Sequence, residues 1–205
     1  MRKLFKSLLT IGVALAAVVP AAITTQAHAV PVTYKIFKFK TDWGGGWVLN
    51  VGGVEGLPVS GVPAQIHYNR DHDFNNRWVY RPTVSGSYSG NQLINLYTKL
   101  CLQAGDDGAV VQRSCDATEP RQMWHWEIAL RNEYYSRLHN VGKVMTQSST
   151  TVPPAGEWPS ISLRTIEPGN YDVAKRQTFN LADCGTISQD DWTGSWSALN
   201  TPKAC

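Results

Sequence analysis

Residues 100–124 read LCLQAGDDGAVVQRSCDATEPRQMW and contain one complete unit of an internal repeat. The unit begins with a short apolar strand, continues through a glycine-bearing loop into a second strand, and ends in a polar loop. Its last three residues, Gln122-Met123-Trp124, place an amide side chain and an indole at the two ends of a tripeptide. Such a unit has structural meaning when the same order of features recurs along the chain.

The same order of features occurs in two further segments. Each has an apolar strand, a loop with glycine or proline, a second strand, and a polar loop that ends on an aromatic side chain. The terminal aromatic residues are separated by roughly 50 residues, a period typical of repeat architectures. The three units comprise Trp47–Val51, Ala64–His67 and Asn76–Trp78; Cys101–Ala104, Val110–Gln112 and Gln122–Trp124; and Val144–Thr146, Ile161–Leu163 and Gln177–Phe179.

The residue pattern after Ala29 predicts an all-β fold. Short apolar or alternating stretches are separated by Gly, Pro, Asn, Asp and Ser, which is typical of many short strands joined by tight turns. Helical periodicity is hard to find in this part of the chain. Three repeats in an all-β chain predict a barrel of threefold repetition, the β-trefoil. Closure of the barrel also removes the sheet edges that promote aggregation.

The second repeat resembles the repeat of the ricin B-type lectin family. The resemblance is carried by Leu100–Gln103, Val110–Cys115 and Arg121–Trp124, which contain the family's disulfide positions and its Q-x-W ending. The first repeat is a fair match, and the third has Phe179 where the family has tryptophan. The resemblance covers Tyr34 to Leu181 and implies a β-trefoil of three imperfect repeats with a role in recognition.

The Q-x-W tripeptides indicate a fold and not an activity. A buried indole removes roughly 200 Å² from water and stabilises the core by several kcal/mol. We expect the amide side chain to satisfy backbone groups in the turn where the strand ladder ends. The structural residues identified in this way are Trp78, Gln122, Trp124, Gln177 and Phe179.

Sugar binding in the family depends on other positions, and the resemblance implies one candidate pocket in the first repeat. Members that bind galactose-like sugars have an Asp after the first strand, a Gln-x-aromatic pair, and an Asn before the Q-x-W. The amide of Asn50 here replaces the carboxylate, which predicts weaker binding because charge-assisted hydrogen bonds are about twice as strong as neutral ones. The candidate pocket residues are Asn50, Gln65, His67 and Asn75.

The other two repeats lack the residues of a galactose pocket. The second repeat has Gln103 at the Asp position, Arg113 near the aromatic position and Arg121 at the Asn position. The third repeat has Thr146 and Arg176 at the Asp and Asn positions. We therefore expect at most one galactose-type pocket in the protein.

The four cysteines predict disulfide bonds. An even number of cysteines in an exported chain is typical of disulfide-bonded proteins, and four cysteines allow three pairings. Short loops favour the pairs Cys101–Cys115 and Cys184–Cys205. No C-x-x-C or H-x-x-x-H spacing that would indicate a zinc site is present, so we expect neither a metal nor another cofactor.

The N-terminal segment has the order of features of a secretory signal peptide. Arg2, Lys3 and Lys6 precede an apolar run, and Ala27-His28-Ala29 supplies small residues at a cleavage point. The run is shorter than the about 20 residues of a membrane span, so we do not expect a membrane-spanning protein. The predicted division of the chain is 1–29 signal peptide, 30–181 trefoil and 182–205 extension closed by the second disulfide.

The charge balance argues against nucleic-acid binding. The chain has 19 Lys and Arg against 16 Asp and Glu, and the three basic residues before residue 29 have no acidic counterpart there. Residues 30–205 therefore carry equal numbers of both signs. Binding to nucleic acid normally requires a clustered positive field, and no run of basic residues provides one.

These features favour a secreted, non-catalytic, lectin-like protein whose partner is a glycan or glycoprotein. No nucleophile and base of a catalytic site can be identified. Two alternatives remain open: a receptor-binding subunit resembling those of cytolethal distending toxin, and a trefoil protease inhibitor acting through the loop 151–159. A protein partner is also indicated by the tryptophans beyond those one core needs, some of which we expect at the surface: Trp43, Trp47, Trp158, Trp192 and Trp196.

Overall fold

The computed structural model of the chain describes residues 32–41, 46–51, 60–68, 74–128, 136–140, 142–149, 151, 153–154, 157–166, 175–189 and 205. The predicted signal peptide 1–29 lies outside these residues. Pro31–Cys205 forms one compact unit. In the described ranges no helix combines the length and the apolar character needed to cross a membrane.

The described residues contain twelve β-strands and two short 3-10 helices, as the alternation of short apolar stretches and turn residues predicts. All strand pairs are antiparallel. The strands are β1 Thr33–Thr41, β2 Trp47–Val51, β3 Ala64–Tyr68, β4 Trp78–Ser85, β5 Tyr88–Asn95, β6 Cys101–Ala104, β7 Val110–Arg113, β8 His125–Ile128, β9 Ser136–Asn140, β10 Lys143–Gln147, β11 Ile161–Arg164 and β12 Phe179–Ser188; the 3-10 helices are η1 Phe74–Asn76 and η2 Pro120–Gln122.

Six of the strands close into a barrel. Strand β1 pairs with β4, β4 with β5, β8 with β9, β9 with β12, and β12 returns to β1. The remaining seam lies between β5 and β8, where the backbone groups of Asn91 and Trp124 exchange two hydrogen bonds of 2.9 Å. Closure leaves no barrel strand as a free edge, which is the arrangement expected from the three repeats.

Three hairpins, β2–β3, β6–β7 and β10–β11, meet beside the barrel, one from each repeat. Their second strands are joined in a triangle by isolated bridges, Pro63 to Val111, Gln65 to Ser160 and Ala109 to Ser162. Because each bridge uses a residue of the next repeat, the hairpins hold one another in a fixed orientation. This arrangement brings the outer faces of different repeats close to one another.

The larger of two hydrophobic clusters among the described residues lies inside the barrel and beneath the hairpins. The terminal aromatics Trp78, Trp124 and Phe179 are all fully buried in it. The indole nitrogen of Trp124 donates a 2.9 Å hydrogen bond to the carbonyl of Leu102, and that of Trp78 donates a 3.2 Å bond to the carbonyl of Leu49. Each tryptophan therefore connects the closing turn of its repeat to the first strand of its own hairpin.

Both favoured disulfides are present. Cys101 is bonded to Cys115 at a sequence separation of 14, and Cys184 to Cys205 at a separation of 21. In the chain-entropy model a loop of about 15 residues closed in this way stabilises the fold by about 3 kcal/mol. The first bond ties β6 to the loop after β7, and the second ties Cys205 to β12.

The last strand of the barrel extends beyond the boundary that the sequence suggested at Leu181. Strand β12 runs to Ser188, which pairs with Thr33 at the start of β1. Cys184 and Ile187 of this segment are buried in a second hydrophobic cluster on the outside of β1 and β12. The first residues of the predicted extension are therefore part of the barrel, because β1 is long enough to pair with them.

Candidate functional site

The strand register assigns equivalent positions to the three hairpins. In each hairpin one residue of the first strand lies directly opposite one of the second strand, and a third residue follows two places later on the second strand. Because side chains two apart share a face, each trio lies on the hairpin face away from the core. The trios are Asn50, Gln65 and His67; Gln103, Val111 and Arg113; and Thr146, Ser162 and Arg164.

The first-repeat hairpin brings two candidate amides together. Asn50 is paired across the ladder with Gln65. Asn50 is 4% exposed and Gln65 is half-buried. Neither side chain makes a hydrogen bond to any residue in the described part of the chain. Neither amide is among the buried polar groups without a partner, so both have donors and acceptors that can meet water or a ligand.

His67 lies beside the amide pair, but its ring is already in contact with another aromatic group. The imidazole stacks on the indole of Trp158 with ring centroids 3.9 Å apart and an interplanar angle of 23°. Its Nδ1 also lies 2.9 Å from the carbonyl of Tyr68, to which it donates in the tautomer that carries the Nδ1 proton. His67 therefore has less free surface for stacking on a sugar than the sequence suggested.

Trp158 provides an exposed aromatic surface next to the first-repeat hairpin. Its side chain is 42% exposed, and its ring centroid lies 6.2 Å from that of the buried Trp47. The backbone of Pro159 accepts a 2.8 Å hydrogen bond from Ile66, so the segment carrying Trp158 is attached to β3. The ring belongs to the third repeat and reaches the first repeat through the contacts between hairpins.

Asn75, the fourth candidate, lies on η1, which packs against β2. Its backbone carbonyl accepts a 2.8 Å hydrogen bond from the side-chain amide of Asn95, which anchors this turn to β5. The preceding residues 69–73 lie outside the described part of the chain. The structure thus places Asn50, Gln65 and His67 on one face and Asn75 on a neighbouring turn.

In the second repeat the oxygen of the equivalent amide, Gln103, accepts a hydrogen bond from inside the protein. The side-chain nitrogen of Gln122 donates hydrogen bonds of 3.0 Å to Gln103 Oε1 and 2.8 Å to the Ser114 carbonyl. Its oxygen accepts bonds of 2.9 Å from the Asp116 amide and 3.0 Å from Gln92. Gln103 is thus part of the network that closes the turn of the second repeat.

The concavity beside Gln103 is open, and its charged lining residues are Arg113, Asp116 and Glu119. It has a volume of about 590 Å³. The neighbouring Arg121, which is not among the residues that line this concavity, lies 2.9 Å from carboxylate oxygens of both Glu119 and Asp106. Hydrogen bonding to Arg121 lowers the pKa of Glu119, and hydrogen bonding to Glu119 raises the pKa of Arg121. A hydrogen bond from the Thr118 hydroxyl likewise lowers the pKa of Asp116. These charges stabilise the loop around η2.

The third repeat has a concavity of about 440 Å³ at the equivalent place. Thr146 there donates its hydroxyl proton to the Val144 carbonyl at 3.2 Å and accepts a 3.3 Å hydrogen bond from Gln177. Gln177 also donates to the Thr165 carbonyl at 3.0 Å, which corresponds to the bond from Gln122 to Ser114. The residues lining the concavity are Thr146, Gln147, Ser148, Ser160, Ser162, Arg164 and Arg176.

No family model and no curated protein matches the chain. Solved structures are similar to it in fold. Cytolethal distending toxin from Actinobacillus actinomycetemcomitans matches with a TM-score of 0.58 at 15% identity, over 72% of this chain and 90% of that chain. A Polyporus squamosus lectin bound to the epitope Neu5Acα2-6Galβ1-4GlcNAc matches with a TM-score of 0.54 at 10% identity, over 74% and 49%. The BEL β-trefoil matches with a TM-score of 0.53 at 14% identity, over 76% and 97%.

The fold is a β-trefoil. At these identities the similarity shows the fold alone, and function has to be argued from the residues on the trefoil's surface. Sequence reasoning did not include Trp158 among the candidate site residues, although it was among the tryptophans expected at the surface. Trp47 is buried, and Trp43, Trp192 and Trp196 lie outside the described residues. Among the described residues no group of three metal-ligating side chains is placed to hold a metal ion.

Proposed function

We propose that this trefoil is a secreted, non-catalytic carbohydrate-binding protein. Its site is the outer face of the first-repeat hairpin, with Asn50 and Gln65 binding sugar hydroxyls and Trp158 offering a ring face. Asn75 completes the site from the neighbouring turn, and His67 supports the Trp158 indole by stacking on it. The partner is a glycan or glycoprotein with a neutral, galactose-like terminal sugar.

The observation that carries this proposal is the difference between the three equivalent positions. Gln103 and Thr146 are bonded within the protein to Gln122 and Gln177. Asn50 has no such bond within the described residues, and its cross-strand neighbour Gln65 has none either. Amides without internal partners that reach solvent can exchange bound water for sugar hydroxyls, which supports a ligand site here.

The chemistry of the site suits a neutral sugar. Each amide presents both donors and acceptors, so it can bind hydroxyl groups in either role. An indole face can pack on the C–H face of a pyranose. The exposed ring of Trp158 stacks on His67, which lies on the same hairpin face as the two amides. Without a carboxylate at position 50, each hydrogen bond is neutral and the affinity is modest.

Replacing Asn50 by alanine is expected to weaken sugar binding. The sugar hydroxyl that it binds loses its partner, which costs about 1–3 kcal/mol or about 5- to 150-fold in affinity. The measurement is isothermal titration with the best ligand from a glycan array. Gln103→Ala is the matched control, because Gln103 occupies the same position in the second repeat but is bonded to Gln122. The sugar affinity of the Gln103→Ala variant should match that of the parent protein.

The reverse change distinguishes a weakened site from an absent one. Asn50→Asp restores an ionised acceptor and should increase the affinity for galactose. If the array shows no ligand and Asn50→Asp creates none, the carbohydrate-binding proposal is wrong. The exposed side chains of Tyr68 and Trp158, which are 51% and 42% exposed, would then be the surface on which to seek a protein partner, as in a toxin subunit.

Secretion is expected to determine the first residue of the mature protein and the oxidation state of its cysteines. The material recovered from the culture medium should begin at Val30 and have the mass of residues 30–205 less four hydrogens, because both disulfides form in an oxidising compartment. Intact-mass spectrometry before and after reduction measures both properties. Recovery of the full chain from Met1 in the cell, with free thiols, would contradict the proposal.

A further inference from the structure

Among the described residues, the concavity of the third repeat is lined by two arginines and by no carboxylate. Arg164 ends strand β11 at the position equivalent to His67, and Arg176 precedes Gln177 at the position equivalent to Asn75. Both side chains line the same space of about 440 Å³, which lies in the size range of small-molecule sites. Sequence reasoning identified this place only as an unsuitable galactose pocket.

The charge of these two arginines is not neutralised within the described residues. Arg164 makes a 3.3 Å hydrogen bond from its Nε to the Ser162 hydroxyl, which leaves the terminal nitrogens of its guanidinium for other partners. No ion pair of Arg176 occurs among those residues. The second repeat is different, since Arg121 at the corresponding position is held at 2.9 Å by both Glu119 and Asp106.

The other described lining residues are polar: Thr146 and three serines carry hydroxyl groups, and Gln147 carries an amide. Ser148, Ser160 and Ser162 line the same concavity as the arginines. The backbone N–H of Ser148 donates a 3.0 Å hydrogen bond to the Ser160 carbonyl, which joins the end of β10 to the start of β11. Hydroxyls donate and accept and so suit a polyhydroxylated ligand, whereas guanidinium groups match the planar fork of a carboxylate. The two kinds of group lie together in one concavity.

We propose that the third repeat binds an acidic saccharide, with Arg164 and Arg176 on the sugar carboxylate and the serine hydroxyls on the neighbouring sugar hydroxyls. This site is separate from the one proposed at Asn50 and does not depend on it. The trefoil therefore has two surfaces of different specificity, one for a neutral and one for an acidic sugar.

A matched pair of ligands tests the proposal. Galacturonate and galactose differ only in whether C6 is a carboxylate or a hydroxymethyl group. All measurements use Asn50→Ala protein, so that the first-repeat site does not contribute. Titration calorimetry in low-salt buffer should give galacturonate an affinity at least about tenfold above that of galactose, because charge-assisted hydrogen bonds replace neutral ones. The affinity should fall as salt is added.

Two variants locate the site. Arg164→Gln and Arg176→Gln should each reduce galacturonate affinity by about tenfold or more, since each removes a charged donor while keeping an amide. Arg113→Gln, the equivalent of Arg164 in the second repeat, is the matched control and should leave the affinity unchanged. Circular dichroism melting of each variant verifies that it is folded; the three substituted side chains are at least partly exposed.

Each outcome supports or overturns the proposal. The proposal is supported if Arg164→Gln and Arg176→Gln both weaken galacturonate binding and Arg113→Gln does not. Equal binding of galactose and galacturonate overturns it, as does binding of inorganic sulfate as tight as that of galacturonate, because the concavity would then be a general anion site. A further outcome is that the Asn50→Ala protein binds galacturonate while the parent protein does not bind galactose. That result would contradict the proposed function at Asn50 but would support this inference.

Discussion

Replacing Trp124 by alanine is expected to lower the free energy of unfolding by about 3–5 kcal/mol. The indole is fully buried where the closing turn of the second repeat meets the core, and its removal leaves a cavity that the closed barrel cannot collapse to fill. The Leu102 carbonyl also loses the donor that holds it at 2.9 Å. The measurement is urea denaturation followed by far-ultraviolet circular dichroism, with the unfolding free energy extrapolated to water.

The control for this substitution is Trp158→Ala. It removes the same side chain from a position that is 42% exposed, and it should destabilise the protein by no more than about 1 kcal/mol. If Trp124→Ala and Trp158→Ala had equal free energies of unfolding, Trp124 would not be packed in the core as described. It would also remove the basis for regarding the Q-x-W tripeptide as structural.

Replacing Gln122 by alanine is expected to destabilise the protein by about 3 kcal/mol or more. The side chain makes four hydrogen bonds in a buried place, and its loss leaves the Asp116 amide, the Ser114 carbonyl and the amide of Gln92 without these partners. Each buried polar group left unpaired costs about 1–3 kcal/mol, and some of that cost is recovered where water enters. Chemical denaturation gives the unfolding free energy.

The matched control for Gln122 is Gln189→Ala. Gln189 is exposed, and its side chain only accepts one 3.4 Å hydrogen bond, from the Tyr34 hydroxyl. The control should change stability by less than about 0.5 kcal/mol. If Gln122→Ala were equally mild, the turn of the second repeat would have to be held by the Cys101–Cys115 disulfide alone.

Much of the architecture could be predicted because the repeats place the same chemistry at the same step of each unit. Trp78, Trp124 and Phe179 share one core, so the substitution of phenylalanine in the third repeat keeps the packing while losing only the indole hydrogen bond. The residue at which the last barrel strand ends could not be predicted from the sequence. Nothing in the sequence around Leu181 shows that β12 continues to Ser188, since that extension depends on the length of β1.

Only part of the candidate sugar site could be predicted from the sequence. The positions of Asn50, Gln65 and His67 on one face follow from their spacing, because neighbouring antiparallel strands bring alternate residues together. The stacking of Trp158 on His67 does not follow from spacing. These residues belong to different repeats, and their contact depends on how the hairpins join through Gln65 and Ser160.

The sequence by itself determined the all-β class, the three repeats, the buried aromatic residues and the favoured disulfide pairs, because periodicity and residue type are local properties. Only the tertiary structure decided which polar side chains are engaged within the protein. Gln103 and Asn50 are both amides at equivalent strand positions, yet Gln103 is bonded to Gln122 whereas Asn50 has no partner within the described residues. Likewise Arg121 is paired with Glu119 and Asp106, whereas the arginines of the third repeat face hydroxyl groups. Hydrogen bonds and ion pairs form between groups brought together across the fold, so the availability of a side chain for a ligand is a property of the folded chain.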